Sequence, residues 1–130
     1  MSSETIEQRV DALRKTIVAL VRRDGPDLTA RQMGVFLTSY LEEEAQTVRG
    51  MAAKLNVSKP AITRALDRLS EFDLVRRKTD PLDRRSILVQ RTIAGAAFLR
   101  ELKKILSDAG KMAETAPNKT RRAGALVGTA

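Results

Sequence analysis

Residues 47–69 read Thr47-Val48-Arg49-Gly50-Met51-Ala52-Ala53-Lys54-Leu55-Asn56-Val57-Ser58-Lys59-Pro60-Ala61-Ile62-Thr63-Arg64-Ala65-Leu66-Asp67-Arg68-Leu69, and this stretch decides the fold. It divides into two short helical runs, about 47–55 and 59–71, separated by Asn56-Val57-Ser58. Ser58 is a natural N-cap, and Pro60 is tolerated in a first helical turn, where its missing N–H has no partner to lose. In the second run Ile62, Leu66 and Leu69 share a narrow wedge of the helical wheel and face a core. Pro60, Thr63, Arg64, Asp67 and Arg68 fall on the opposite face. A threonine and two arginines exposed near a helix N-terminus can meet both phosphates and base edges, and the helix end itself favours a phosphate.

Beyond Leu74-Val75 the period changes. Residues 75–78 and 86–91 read as short strands flanking a polar tip, Thr79-Asp80-Pro81-Leu82-Asp83-Arg84-Arg85. Helix, short turn, helix and then a hairpin with a basic tip is a winged helix-turn-helix, α+β in class and mostly helical.

Upstream, residues 4–23 carry Ile6, Val10, Leu13, Ile17, Leu20 and Val21 at helical spacing and stop at Asp24-Gly25-Pro26. A second helix starts after Thr29. Thr29 and Gln32 make a capping-box pair, with Leu28 and Met33 placed as the hydrophobic staple. It runs through Phe36, Leu37, Tyr40 and Leu41 into Glu42-Glu43-Glu44, a solvated helix end whose consecutive carboxylates diverge too far to hold a metal. Downstream, Thr92 caps a long helix to about residue 115 with Phe98, Leu99, Leu102, Ile105, Leu106, Ala109 and Met112 at helical spacing. Residues 116–130 have Pro and Gly and no pattern, which reads as a disordered basic tail.

The composition narrows the function. A chain of 130 residues is one domain's worth, here residues 1–115, with a lobe at about 28–92 and flanking helices at about 4–23 and 92–115. Without cysteine or histidine there is no thiolate or imidazole for a metal, a nucleophile or acid–base work. The acidic residues lie at helix ends and exposed faces rather than paired for catalysis, so neither an enzyme nor a cofactor is expected. Lys plus Arg is 24 against 16 acidic residues, a net charge of +8. Residues 47–92 alone hold 11 basic and 5 acidic side chains, so the excess concentrates on the helix-turn-helix and hairpin. Such a patch suits a polyanion, and 3% aromatic residues disfavour base stacking. The N-terminus lacks a signal-peptide pattern and the longest apolar run, Ile17 to Val21, is far short of a span. A cytoplasmic protein with no membrane contact is the expectation.

The 47–69 segment resembles the helix-turn-helix of MarR-type transcription regulators. Leu74-Val75-Arg76-Arg77 followed by Asp80-Pro81-Leu82-Asp83-Arg84-Arg85-Ser86 is similar to that family's wing with its Asp-Arg-Arg tip, and Thr92-Ile93-Ala94-Gly95 matches the Thr-x-x-Gly that opens its next helix. The resemblance covers about residues 28–106. It implies a homodimer built from the terminal helices, with each recognition helix in a major groove and each wing at a minor groove of a pseudo-palindrome in double-stranded DNA, typically as a repressor. By motif, Ser58, Lys59, Pro60, Thr63, Arg64 and Arg68 fall at base- or phosphate-contacting positions. Arg84 and Arg85 fall at the wing tip, with Asp83 placed to orient an arginine. Arg76, Arg77 and Lys78 are expected on phosphates. Two residues depart from the family pattern: Asp73 where glycine is usual after the recognition helix, and Arg91 where leucine is common.

Two further expectations concern partners. An apolar stripe formed by Ile6, Val10, Leu13 and Ile17 with Leu102, Ile105 and Leu106 is a dimer seam, since a monomer would leave it in water. Relatives often bind small aromatic acids, and Tyr40, Phe36 and Arg14 are the candidates for such an effector pocket. The competing reading is a winged-helix adaptor that docks a protein and reads no DNA sequence.

Overall fold

The computed structural model describes residues 4–115, and the side chains of residues 4–111. The order is α1 (Ile6–Arg22), α2 (Ala30–Leu41), α3 (Val48–Leu55), α4 (Lys59–Glu71), β1 (Val75–Asp80), β2 (Asp83–Arg91) and α5 (Ile93–Thr115). Both N-terminal helices start at reciprocal capping boxes, Thr5 with Gln8 and Thr29 with Gln32. Contacts divide the chain into two compact units: Gly25–Glu101, and a second that joins the segment through Asp24 to the chain from Leu102.

The first unit is built on α4. Ile62, Leu66 and Leu69 are fully buried, as their wheel positions require, alongside Val35 and Phe36 of α2, Met51 of α3 and Val75 of β1. Phe98 closes this core, edge-on to Phe36 at 5.1 Å between ring centroids. The unit therefore extends past residue 92 into the first turns of α5.

Two left-handed residues set the turns. Asn56 (φ 55°) ends α3, and the amide of Val57 reaches back to the Ala52 carbonyl at 3.0 Å, which turns the chain into α4. Asp73 (φ 57°) ends α4 in the same way, with the Leu74 amide on the Leu69 carbonyl at 3.0 Å. A side chain in this conformation costs roughly 1–2 kcal/mol, and aspartate tolerates it better than most. Asp73→Ala should lower stability by about 1 kcal/mol and Asp73→Gly by less, measured by chemical denaturation.

The hairpin is tighter than its sequence suggests. β1 runs on to Asp80 and β2 begins at Asp83, leaving Pro81-Leu82 alone between the paired Asp80 and Asp83. Register slips between Thr79, paired to Ile87, and Asp80, paired to Asp83, so Arg84-Arg85-Ser86 bulges from the ladder. The segment before α3 also joins the sheet through a Thr47–Leu88 bridge and the Val89 amide on the Gln46 carbonyl at 2.8 Å.

Arg91 takes a structural role. Its guanidinium donates to the carbonyls of Ser39 (2.9 Å) and Glu42 (2.6 Å) at the negative end of α2 and lies 5.7 Å from the Tyr40 ring centroid.

In the second unit, α1 turns a small and polar face inward, with Thr16 buried and its hydroxyl on the Ala12 carbonyl at 2.7 Å. Its apolar stripe points outward: Ile6 is 64% exposed, Val10 58%, Leu13 55% and Ile17 50%. In α5, Leu106 is 46% exposed whereas Leu102 is only 5% exposed. Leu102 is thus buried within one chain and leaves the expected seam. The basic tail at 116–130 and the Met112 side chain lie outside the described residues.

Candidate nucleic-acid interface

A groove of about 470 Å³ runs between the helix-turn-helix and the hairpin. One wall is the start of α3 (Thr47, Val48, Arg49), a second the first turns of α4 (Lys59, Thr63), and the third the base of the bulge on β2 (Asp83, Arg85, Ser86, Ile87). Two helix N-termini therefore open onto one cleft, each capped from below. The Thr47 hydroxyl takes the Gly50 amide at 2.9 Å, and the Ser58 hydroxyl takes the Ala61 amide at 3.2 Å. Both ends present partial positive charge to the cleft.

The cations around it fall into two sets. Arg49, Lys59, Arg64, Lys78, Arg84 and Arg85 make no ion pair among the described residues. Their charge remains available to an anion. The other set is already engaged. Arg77 reaches Asp67 at 2.6 Å, Arg76 reaches Asp73 at 3.5 Å, and Arg68 reaches Glu71 at 2.8 Å while lying 4.7 Å from the Phe72 ring centroid. Arg77, expected on a phosphate, also ties the first strand of the wing to α4 through Asp67. Asp67 is thereby a partner for the wing.

The bulge separates the two tip arginines. Arg85 lines the groove and Arg84 does not. Asp83 accepts the backbone N–H of Arg85 at 3.1 Å, so it shapes the chain, and the Arg85 guanidinium makes no ion pair with it or any other described residue. Thr63 is half-buried while Ser58, Lys59, Pro60, Arg64 and Arg68 are exposed along α4. Sequence reading missed the contribution of Thr47 and Arg49. The signal was there in Thr47 as an N-cap, but only the Thr47–Leu88 bridge brings that cap beside the wing.

The candidate effector residues are otherwise occupied. Phe36 and Tyr40 pack ring to ring at 4.6 Å inside the core, and Arg14 on α1 pairs with Asp11 at 2.8 Å.

With this geometry in place, comparison with known proteins is specific. The MarR family model matches residues 28–87. The matched segment runs from just before α2 to Ile87 and so contains every residue lining the groove. The wild-type apo MarR from E. coli is 26% identical, with 93% of this chain and 85% of that chain covered and a TM-score of 0.62. CouR, a transcriptional repressor solved on a 23-mer DNA duplex, is 26% identical, with 95% and 82% covered and a TM-score of 0.63. A transcriptional regulator from Thermotoga maritima shares the fold at 19% identity, with 93% and 80% covered and a TM-score of 0.66. Among curated proteins no sequence matches this chain. Among the described residues, no helix is long and apolar enough to cross a membrane, and no acidic cluster could hold a metal ion.

Proposed function

We propose that the protein is a sequence-specific double-stranded DNA-binding transcription regulator, acting in the cytoplasm as a homodimeric repressor on a pseudo-palindromic operator. The observation that carries this reading is the groove in which Arg49, Lys59 and Arg85 gather around two helix N-termini with no carboxylate paired to them among the described residues. Uncompensated cations beside oriented amides suit a phosphate backbone, and release of its counterions would supply much of the affinity. Thr63 and Arg64 then face base edges from the first turns of α4, and the wing reaches the adjacent minor groove. CouR, similar along most of its length, is a repressor held on duplex DNA. The outward apolar stripe of α1 supports a two-fold dimer.

Selection of bound sequences from a random duplex pool tests the reading. The expected result is an enriched inverted repeat whose half-sites lie about 10 bp apart, one helical turn, because a two-fold dimer presents two recognition helices to one face of the duplex. An unenriched pool would leave the wing and α4 as a protein-docking surface and overturn the proposal.

A further inference from the structure

Leu82 stands at the apex of the hairpin with 94% of its surface in water, the most exposed large apolar side chain among the described residues. It does nothing for the fold, because no core residue reaches it. Its setting is nevertheless firm. Asp80 accepts the Leu82 amide at 2.9 Å and Asp83 accepts the Arg85 amide at 3.1 Å, so both carboxylates fold back onto the turn. Proline precedes it and fixes its own φ. Arg84 and Arg85 follow it in the chain by two and three residues, on the bulge, with charge that makes no ion pair among the described residues. An apolar apex with two unpaired arginines next to it in the chain fits a partner whose rim is anionic and whose floor is not, and the minor groove of duplex DNA has that profile.

We infer that Leu82 lies on the floor of the minor groove and excludes G·C pairs beneath the wing tip. This rests on the DNA-binding reading above and assigns a sequence-selecting role to a residue without a polar atom in its side chain. The minor-groove floor carries only acceptors at A·T pairs, whereas a G·C pair adds the guanine 2-amino donor. An isobutyl group pressed onto that donor strips its water and offers no acceptor, and an unmade hydrogen bond is the costly kind. At A·T pairs the same side chain meets no such donor. Discrimination then comes from what the leucine cannot provide.

The test uses the full chain and the duplex recovered from the random pool, with one G·C pair stepped through each flank. A second series carries inosine for that guanine, which deletes the 2-amino group and leaves the major-groove edge intact. The wild type should bind the inosine duplex about tenfold more tightly than its guanine counterpart at one position per half-site. Leu82→Asn, close in size and able to accept from the amino group, should bring that ratio below about twofold while retaining DNA binding, and Leu82→Ala should fall between. Equal guanine-to-inosine ratios in the wild type and Leu82→Asn would overturn the inference while leaving the DNA-binding reading intact. Failure of the wild type to prefer any duplex would overturn both.

Discussion

Gly95→Ala should destabilise the protein by about 4 kcal/mol, from overpacking and from the buried hydrogen bonds it displaces. A methyl group at residue 95 would collide with the Tyr40 hydroxyl and the Leu74 carbonyl and sit 2.5 Å from the Tyr40 Cζ. None of these can step aside cheaply. The Tyr40 hydroxyl donates to the Leu74 carbonyl at 2.6 Å and accepts the Thr92 amide at 2.9 Å, so one buried oxygen ties α2 to both ends of the wing. Thr92 accepts the Gly95 amide at 2.8 Å and donates to the Asp73 carbonyl, which fixes where α5 begins. Tyr40→Phe alone should cost about 2 kcal/mol by orphaning the Leu74 carbonyl and the Thr92 amide. In the Gly95→Ala background the same change removes the clashing oxygen, so the double variant should be no less stable than Gly95→Ala. Urea denaturation of the four proteins checks this. A Gly95→Ala midpoint within error of the wild type would mean that Tyr40 and α5 can move apart, and the assignment of this contact would fail.

That hub also marks how far the sequence could be read. Helical spacing and cap residues place α1 to α5 to within two residues, because Ile62, Leu66 and Leu69 must share a face and Thr29, Ser58 and Thr92 cap from their own side chains. The Thr-x-x-Gly pattern was visible as a resemblance, but the reason for its glycine is a hydroxyl 55 positions earlier in the chain. Arg91 looked like one apolar residue too few at the end of the wing, and it serves instead as the cation at the end of α2, a pairing across 52 residues. The same limit applies at the candidate site. A list of basic residues does not show which are matched by carboxylates: Arg77 and Arg84 look alike in sequence, yet one is locked to Asp67 and the other is not. Hairpin register decides the rest, since the slip after Thr79 sets Arg84 and Arg85 on a bulge rather than in a loop.

Val10→Glu with Ile17→Glu should convert the protein to a monomer and weaken operator binding by about a hundredfold or more. Both residues lie in the outward stripe of α1, seven positions apart on one helical face, and each is at least half exposed in a single chain. A contiguous apolar stripe of this kind on a soluble monomer is a liability, and a two-fold axis beside it buries each stripe against its twin. Placing two carboxylates there adds four to the seam of a dimer, where desolvation and like-charge repulsion oppose association. The stripe lies outside the groove residues, so each protomer keeps its DNA contacts. What is lost is the linkage of two half-sites, which multiplies affinity by roughly 10²–10⁴. A simpler cause would be repulsion between new carboxylates and phosphates, and the charge-reversed variant separates the two. Val10→Lys with Ile17→Lys should also yield a monomer and also weaken binding, although added positive charge by itself would strengthen it. Sedimentation equilibrium at tens of micromolar reads the assembly, and circular dichroism confirms that the variants remain folded. A dimeric glutamate variant, or a lysine variant that binds more tightly than the wild type, would remove α1 from the seam.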